Sequence, residues 1–190
     1  STTYRSTNQV FDYTQINTDT QRVIHSITKY DGNEGEEKAQ RTYNYNFDGN
    51  VVKTTTIFIY GTGALSDTLQ RSFTYRGYLV NPDGTDRASD EFNALTDIDA
   101  QGKVIPANFD ARKSVTVYFG NEGEEKALKT YNYNFDGTKV KTFTLFDYPA
   151  DALRTSTTYR STNQVFDYTQ INTDTQRVIR SITKYDGNEG

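Results

Sequence analysis

Carboxylates in turns are the residues of this chain whose type and spacing most invite chemistry. Asn81-Pro82-Asp83-Gly84-Thr85-Asp86, followed by Asp90 and Glu91, sets Asp83, Asp86, Asp90 and Glu91 around a glycine turn. Hard oxygen ligands gathered this way suit calcium. The full EF-hand spacing is absent, with no Asp-x-Asp-x-Asp-Gly run and no Glu at the twelfth position. Glu34, Glu36 and Glu37 form a second acidic cluster, matched by Glu122, Glu124 and Glu125. Solubilising loop charges are the plainer reading of both clusters. No cofactor is expected, with calcium at Asp83, Asp86, Asp90 and Glu91 as the alternative. His25 is the only His, and it is replaced by Arg180 in a second copy of the same sequence. A general base does not survive that exchange, so His25 reads as a solvated strand position. The chain has no Gly-x-Ser-x-Gly elbow, no P-loop and no Gly-x-Gly-x-x-Gly. It is not expected to be an enzyme.

Composition narrows the classes further. The chain has 190 residues and a formal charge of −4, with no Cys, no Met and no Trp. Without Cys there is no disulfide framework, no thiolate zinc site and no cysteine nucleophile. The negative charge argues against nucleic acid as a partner, because phosphate binding needs a basic patch. Mean hydropathy is −0.81, and no run approaches the length of a transmembrane helix. Ten-residue alternating strands also occur in membrane barrels, but clean lipid-facing apolar rows are missing here. A chain that opens Ser-Thr-Thr-Tyr reads as a mature or excised piece of something longer.

The elements that position these residues are repeats. Ser156–Gly190 copies Ser1–Gly35 at an offset of 155 residues, with His25/Arg180 as the one difference. Gly120–Gly137 (GNEGEEKALKTYNYNFDG) copies Gly32–Gly49 (GNEGEEKAQRTYNYNFDG) at an offset of 88. Residues 1–155 are therefore one full period of about five units of roughly 30 residues, and 156–190 begin the next. Stacked units of this kind contact only their neighbours. The region 77–108, with Pro82 and Pro106, reads as an irregular excursion with a short helix around Ala88–Leu95.

Each unit reads as a β-hairpin. The runs between turns are rich in Thr, Tyr, Phe, Val and Ile, which suit a pleated surface. In Thr42-Tyr43-Asn44-Tyr45-Asn46-Phe47 the aromatics alternate with polar residues. Tyr43, Tyr45 and Phe47, with Tyr131, Tyr133 and Phe135, are expected to form an aromatic ladder. Asp48-Gly49 and Asp136-Gly137 lie between strand-like runs and predict two-residue type I′ turns, with a looser turn at Gly102. The acidic loop at Gly32–Lys38 is expected to begin a single helical turn. The fold class is all-β: tandem antiparallel hairpins forming an elongated sheet or a β-solenoid fibre, the alternative being a parallel β-solenoid.

Asp99-Ala100-Gln101-Gly102-Lys103-Val104 resembles the YD-repeat pattern of RHS and teneurin-like proteins. Tyr45-Asn46-Phe47-Asp48-Gly49-Asn50-Val51 and Tyr133-Asn134-Phe135-Asp136-Gly137 resemble it in a form shortened at the turn. The near-identical long period and the GNEGEEKA loop are more similar to arrays of very large bacterial surface proteins. What the resemblance implies is an extracellular or cell-surface hairpin array.

These readings converge on a structural segment of a long extracellular fibre, stalk or sheath. Its expected partner is itself, through neighbouring repeats or identical chains in a filament. The alternative is a repetitive adhesin that binds glycans, with calcium assisting. A Thr/Tyr/Asn-rich sheet with open edges polymerises edge to edge, whereas continuing repeats cover their own edges.

Overall fold

The computed structural model describes residues 1–6, 22–62, 67–77 and 112–186. Among them run ten strands: β1 (Thr2–Ser6), β2 (Arg22–Asp31), β3 (Lys38–Tyr45), β4 (Val52–Tyr60), β5 (Leu69–Arg76), β6 (Arg112–Phe119), β7 (Lys126–Tyr133), β8 (Val140–Asp147), β9 (Thr155–Ser161) and β10 (Arg177–Lys184). They are hydrogen-bonded in chain order, from β1 to β10. The antiparallel hairpin sheet expected from the sequence is therefore present, and the parallel-solenoid alternative is overturned. The reason is connection length. Six residues join β3 to β4 and six join β7 to β8, whereas a parallel return needs a crossover of about a dozen or more. The irregular region 78–108, its proposed helix and Gly102 lie outside the described residues.

The chain divides into two compact units, Ser1–Ile57 with Tyr75–Arg87, and Phe58–Thr74 with Ala88–Gly190. The first buries Tyr43, Thr55, Ile57 and Tyr75. In it, Thr28 and Thr42 share a hydrogen bond of 3.0 Å between their Oγ1 atoms, and Thr55 Oγ1 donates to the Gly77 carbonyl at 2.8 Å. The second unit buries Phe73, Val115, Tyr131, Tyr133, Val140 and Phe143. Thr116–Thr130 and Thr144–Thr158 repeat the threonine pairing at 3.0 and 2.9 Å. These rungs join adjacent strands and hold their alignment.

Sequence identity becomes identity of register. β2 pairs with β3 through Ser26↔Asn44, Ile27↔Tyr43 and Thr28↔Thr42, and β6 pairs with β7 through Ser114↔Asn132, Val115↔Tyr131 and Thr116↔Thr130. The β1–β2 register recurs 155 residues later between β9 and β10. Each of these pairings carries a bulge at the corresponding place. The extra residue is His25 or Arg180, Gln40 or Leu128, and in the β3–β4 and β7–β8 pairs Lys53 or Lys141. A bulge interrupts the ladder and turns the strand locally. Two of the extra residues are Lys, and His25 exchanges with Arg180, so the kink falls where solvation is easy.

The hairpin turns differ from the two-residue type I′ form. That form needs positive φ at both central residues. Gly49 (φ 69°) and Gly137 (φ 71°) have it, while Ala150 and Asp151 are the only non-glycine residues with positive φ among those described. Asn, not Asp, organises the turn. Asn46 Oδ1 accepts from the N–H groups of Asn50 and Val51 at 3.0 and 3.1 Å. Asn134 does the same for Thr138 and Lys139 at 2.9 and 3.1 Å. Asn46 N–H then donates to the Val51 carbonyl at 2.8 Å. One Asn thereby widens the turn to six residues and satisfies two N–H groups that the ladder no longer uses.

Gly49 also sits where its turn presses on β2. A Cβ there would meet Val23 Cγ1 and the backbone of Ile24, at 2.9 Å from its N and 3.0 Å from its O. Gly49→Ala should cost about 2–4 kcal/mol, from the left-handed backbone and from the clash together. Gly35 has φ +84° with nothing within 4 Å of its Cβ position, so Gly35→Ala should cost only about 1 kcal/mol. Urea midpoints of the two variants test the difference; equal losses would mean that the contact with β2 contributes nothing.

Candidate functional site: carboxylate turns and a boxed arginine

The acidic loops form turns, not helices. In Gly32–Glu37 the Glu36 N–H donates to the Asn33 carbonyl at 2.9 Å, and in the second copy Glu124 N–H donates to Asn121 at 3.0 Å. The expected helical turn is absent because β3 and β7 begin directly at Lys38 and Lys126. Glu37 Oε2 accepts from Gly35 N–H at 3.0 Å, and Glu125 Oε2 accepts from Gly123 N–H at 2.9 Å. Glu125 goes further: its Oε1 accepts the Leu69 N–H at 2.9 Å, at the start of β5. This carboxylate closes its own turn and caps another strand. Charge-assisted bonds of this kind are about twice as strong as neutral ones.

Glu125→Gln leaves one of those acceptors and removes the charge, and should cost about 1–2 kcal/mol. The matching Glu37→Gln change should cost less, since among the described residues Glu37 bonds only its own turn in that way. Thermal melts of both variants check this; equal losses would deny Glu125 its second role.

Among the described residues, no three His, Asp or Glu side chains converge as metal ligands would. Asp83, Asp86, Asp90 and Glu91 lie outside those residues. Nor is any helix among them long and apolar enough to cross a membrane. His25 is exposed on β2, at the bulge.

The aromatic ladder is shorter than the sequence pattern implies. Tyr43, Tyr131 and Tyr133 are buried and Tyr45 is half-buried. Phe47 and Phe135 are 75% and 80% exposed, because each strand ends two residues earlier and the Asn turn has begun. Arg5 covers Phe47: its guanidinium carbon lies 4.7 Å from the ring centroid, and its Nη1 donates to the Phe47 carbonyl at 2.8 Å.

The densest constellation was invisible in the sequence. Arg112, at the start of β6, is wholly buried. Its guanidinium carbon lies 4.6 Å from the Phe166 ring centroid, 5.3 Å from Phe73 and 5.5 Å from Tyr133. Nη1 donates to Tyr133 Oη at 3.5 Å, and Tyr133 Oη donates to the Phe166 carbonyl at 2.8 Å. Phe166, Tyr168 and Ile171, all buried, come from the 15-residue connection between β9 and β10. Asp167 caps a short 3-10 turn at Tyr168–Gln170 within it. The connection closes at Asn172, whose Oδ1 accepts from Asp174 and Thr175 N–H. Arg71 Nη1 reaches Tyr168 Oη at 3.4 Å. The box therefore clamps a loop onto the strands and offers no open position to a substrate.

Tyr131 packs against Tyr168 with ring centroids 5.1 Å apart. Burial raises its hydroxyl pKa above the ordinary 10.0, and neighbouring Tyr168 adds to the rise. Tyr148 is raised likewise, by burial first and by Tyr185 second. In the unfolded chain these phenols ionise near pH 10, so the folded state holds their protons more tightly. Their contribution is complete below about pH 10 and is lost as pH rises through the folded values. Urea midpoints should stay level to about pH 9 and fall above about pH 10. Tyr131→Phe should flatten part of that fall; an unchanged slope would show that Tyr131 is not responsible.

Comparison with protein-family models, with curated proteins and with solved structures finds no match.

Proposed function

We propose that this chain is a structural segment of a long extracellular fibre, stalk or sheath that self-stacks through its hairpins. The observation that carries the reading is recurrence of register. Strand pairings and bulges recur in the same register at offsets of 88 and 155, and a threonine rung recurs at 88. An enzyme keeps one site and varies its scaffold; here the scaffold is what is copied. In the acidic loops, Glu37 and Glu125 accept backbone N–H groups, in keeping with a role in holding turns. The YD-repeat-like turns and the absence of oxidisable Cys and Met suit an exposed setting. Electron microscopy of the purified chain tests the reading. Filaments with a regular axial repeat support it, and monodisperse globules at high concentration sink it.

A second reading has its own support. Phe47 and Phe135 project from matching turns, an arrangement that suits stacking on sugar rings, as a repetitive glycan-binding adhesin requires. Loss of glycan-array binding in a Phe47→Ala/Phe135→Ala double variant would favour it, and binding by neither protein would end it.

A further inference from the structure

β10 is the last strand in the sheet order, and all eight of its residues are exposed. Val178, Ile179 and Ile182 are 56%, 60% and 55% exposed. Their counterparts one period earlier, Val23, Ile24 and Ile27, are half-buried in β2. The two strands differ in sequence only at His25/Arg180, and each meets its preceding strand in the same register. What distinguishes them is the far side: β2 carries β3 there. The outer side of β10 therefore presents the donors and acceptors that β2 uses to hold β3.

The turn after β3 adds to the match. Gly49 lies against Val23 and Ile24 so closely that a Cβ would strike them. Val178 and Ile179 keep that surface. Lys29 Nζ lies 5.7 Å from the Tyr43 ring centroid, and Lys184 stands where Lys29 does. The edge is also guarded against indiscriminate pairing, since Arg177, Arg180 and Lys184 are charged and Arg180 is a bulge residue.

We propose that the outer edge of β10 is a docking site for the β3 segment of a further copy of the repeat. That segment comprises a Lys38–Tyr45 strand with its Asn46–Val51 turn, added antiparallel with Thr42 opposite Thr183. The proposal rests on the structural reading above and deepens it by naming the partner and its register. In β2, Thr28 N–H donates to the Ser1 carbonyl at 2.8 Å, away from β3. Thr28 and Thr42 are thus a non-hydrogen-bonded pair, the closely spaced kind. Cysteines at such a pair fall within disulfide reach.

The chain has no Cys, so two introduced thiols report one contact. The full chain carrying Thr183→Cys is mixed, under mild oxidation, with a synthetic peptide of residues 36–51 carrying Thr42→Cys. The mixed disulfide should form about tenfold more readily than with an Arg41→Cys peptide, whose side chain points to the opposite face. A Gly49→Ala change in the first peptide should reduce the yield. Equal yields from the Thr42→Cys and Arg41→Cys peptides overturn the proposal. So does linkage of Thr183→Cys chains to one another in excess peptide, which would assign the edge to β10 of a second copy. Electron microscopy of the chain without peptide, whose edge is uncapped, separates the two claims. Adduct with globules alone upholds docking and removes the fibre, and filaments without adduct uphold the fibre and remove this docking site.

Discussion

Replacing Arg112 with alanine is expected to cost about 3–5 kcal/mol of stability. The side chain is wholly buried, so the truncation leaves a hole in the core and removes three ring contacts at 4.6–5.5 Å. It also deprives Tyr133 of a donor. Tyr133 keeps its bond to the Phe166 carbonyl, so the loss should be large without dissolving the whole box. Arg112→Lys keeps the charge but loses the flat guanidinium that lies over the rings, and should fall between wild type and alanine. Urea unfolding gives the measurement, through the midpoint at constant slope. A loss under about 1 kcal/mol would mean that the rings hold the β9–β10 connection without the arginine.

Phe143→Ala should cost a similar amount, about 3–5 kcal/mol. Phe143 is wholly buried in β8, stacked on Tyr159 at 5.3 Å with an interplanar angle of 25°, and tilted against Tyr131 at 6.1 Å. Aromatic pairs contribute about 0.5–1.5 kcal/mol beyond the area they bury, so two pairs disappear along with the packing. Phe135→Ala, at a ring 80% exposed, should change stability by no more than about 0.5 kcal/mol. A side-by-side melt decides the matter; comparable losses would contradict the burial on which both expectations stand.

These two phenylalanines also mark what could be read in advance. Alternation in Thr42–Phe47 and Thr130–Phe135 located the strands, and the Asp-Gly pairs located the reversals. Both cues are local: a pleat of period two, and a residue free to take positive φ. The strand ends were missed by two residues because Asn46 and Asn134 hydrogen-bond their turns from inside the alternating run. Phe143 was legible only as one apolar residue among several. Arg112 was not legible at all. It opens β6, beyond the irregular stretch, and its surroundings come from residues as distant as Phe73 and Phe166. The same holds for residues 162–176, which look like a polar linker yet supply Phe166, Tyr168 and Ile171 to the interior. Sequence periodicity sees neighbours along a strand, whereas this core depends on a loop folding back over it.

The bulges bear on how such a chain can change in length. A strand that mispairs by a few residues meets an extra residue where its partner expects a flat ladder, so small slips are penalised at each junction. A slip by a whole 155-residue period meets the same register, bulge for bulge, with only His25 exchanged for Arg180. Gain or loss of a full period therefore joins compatible edges, while gain or loss of a fraction does not. A whole period is thus the change of length that this register accommodates without a new kind of junction.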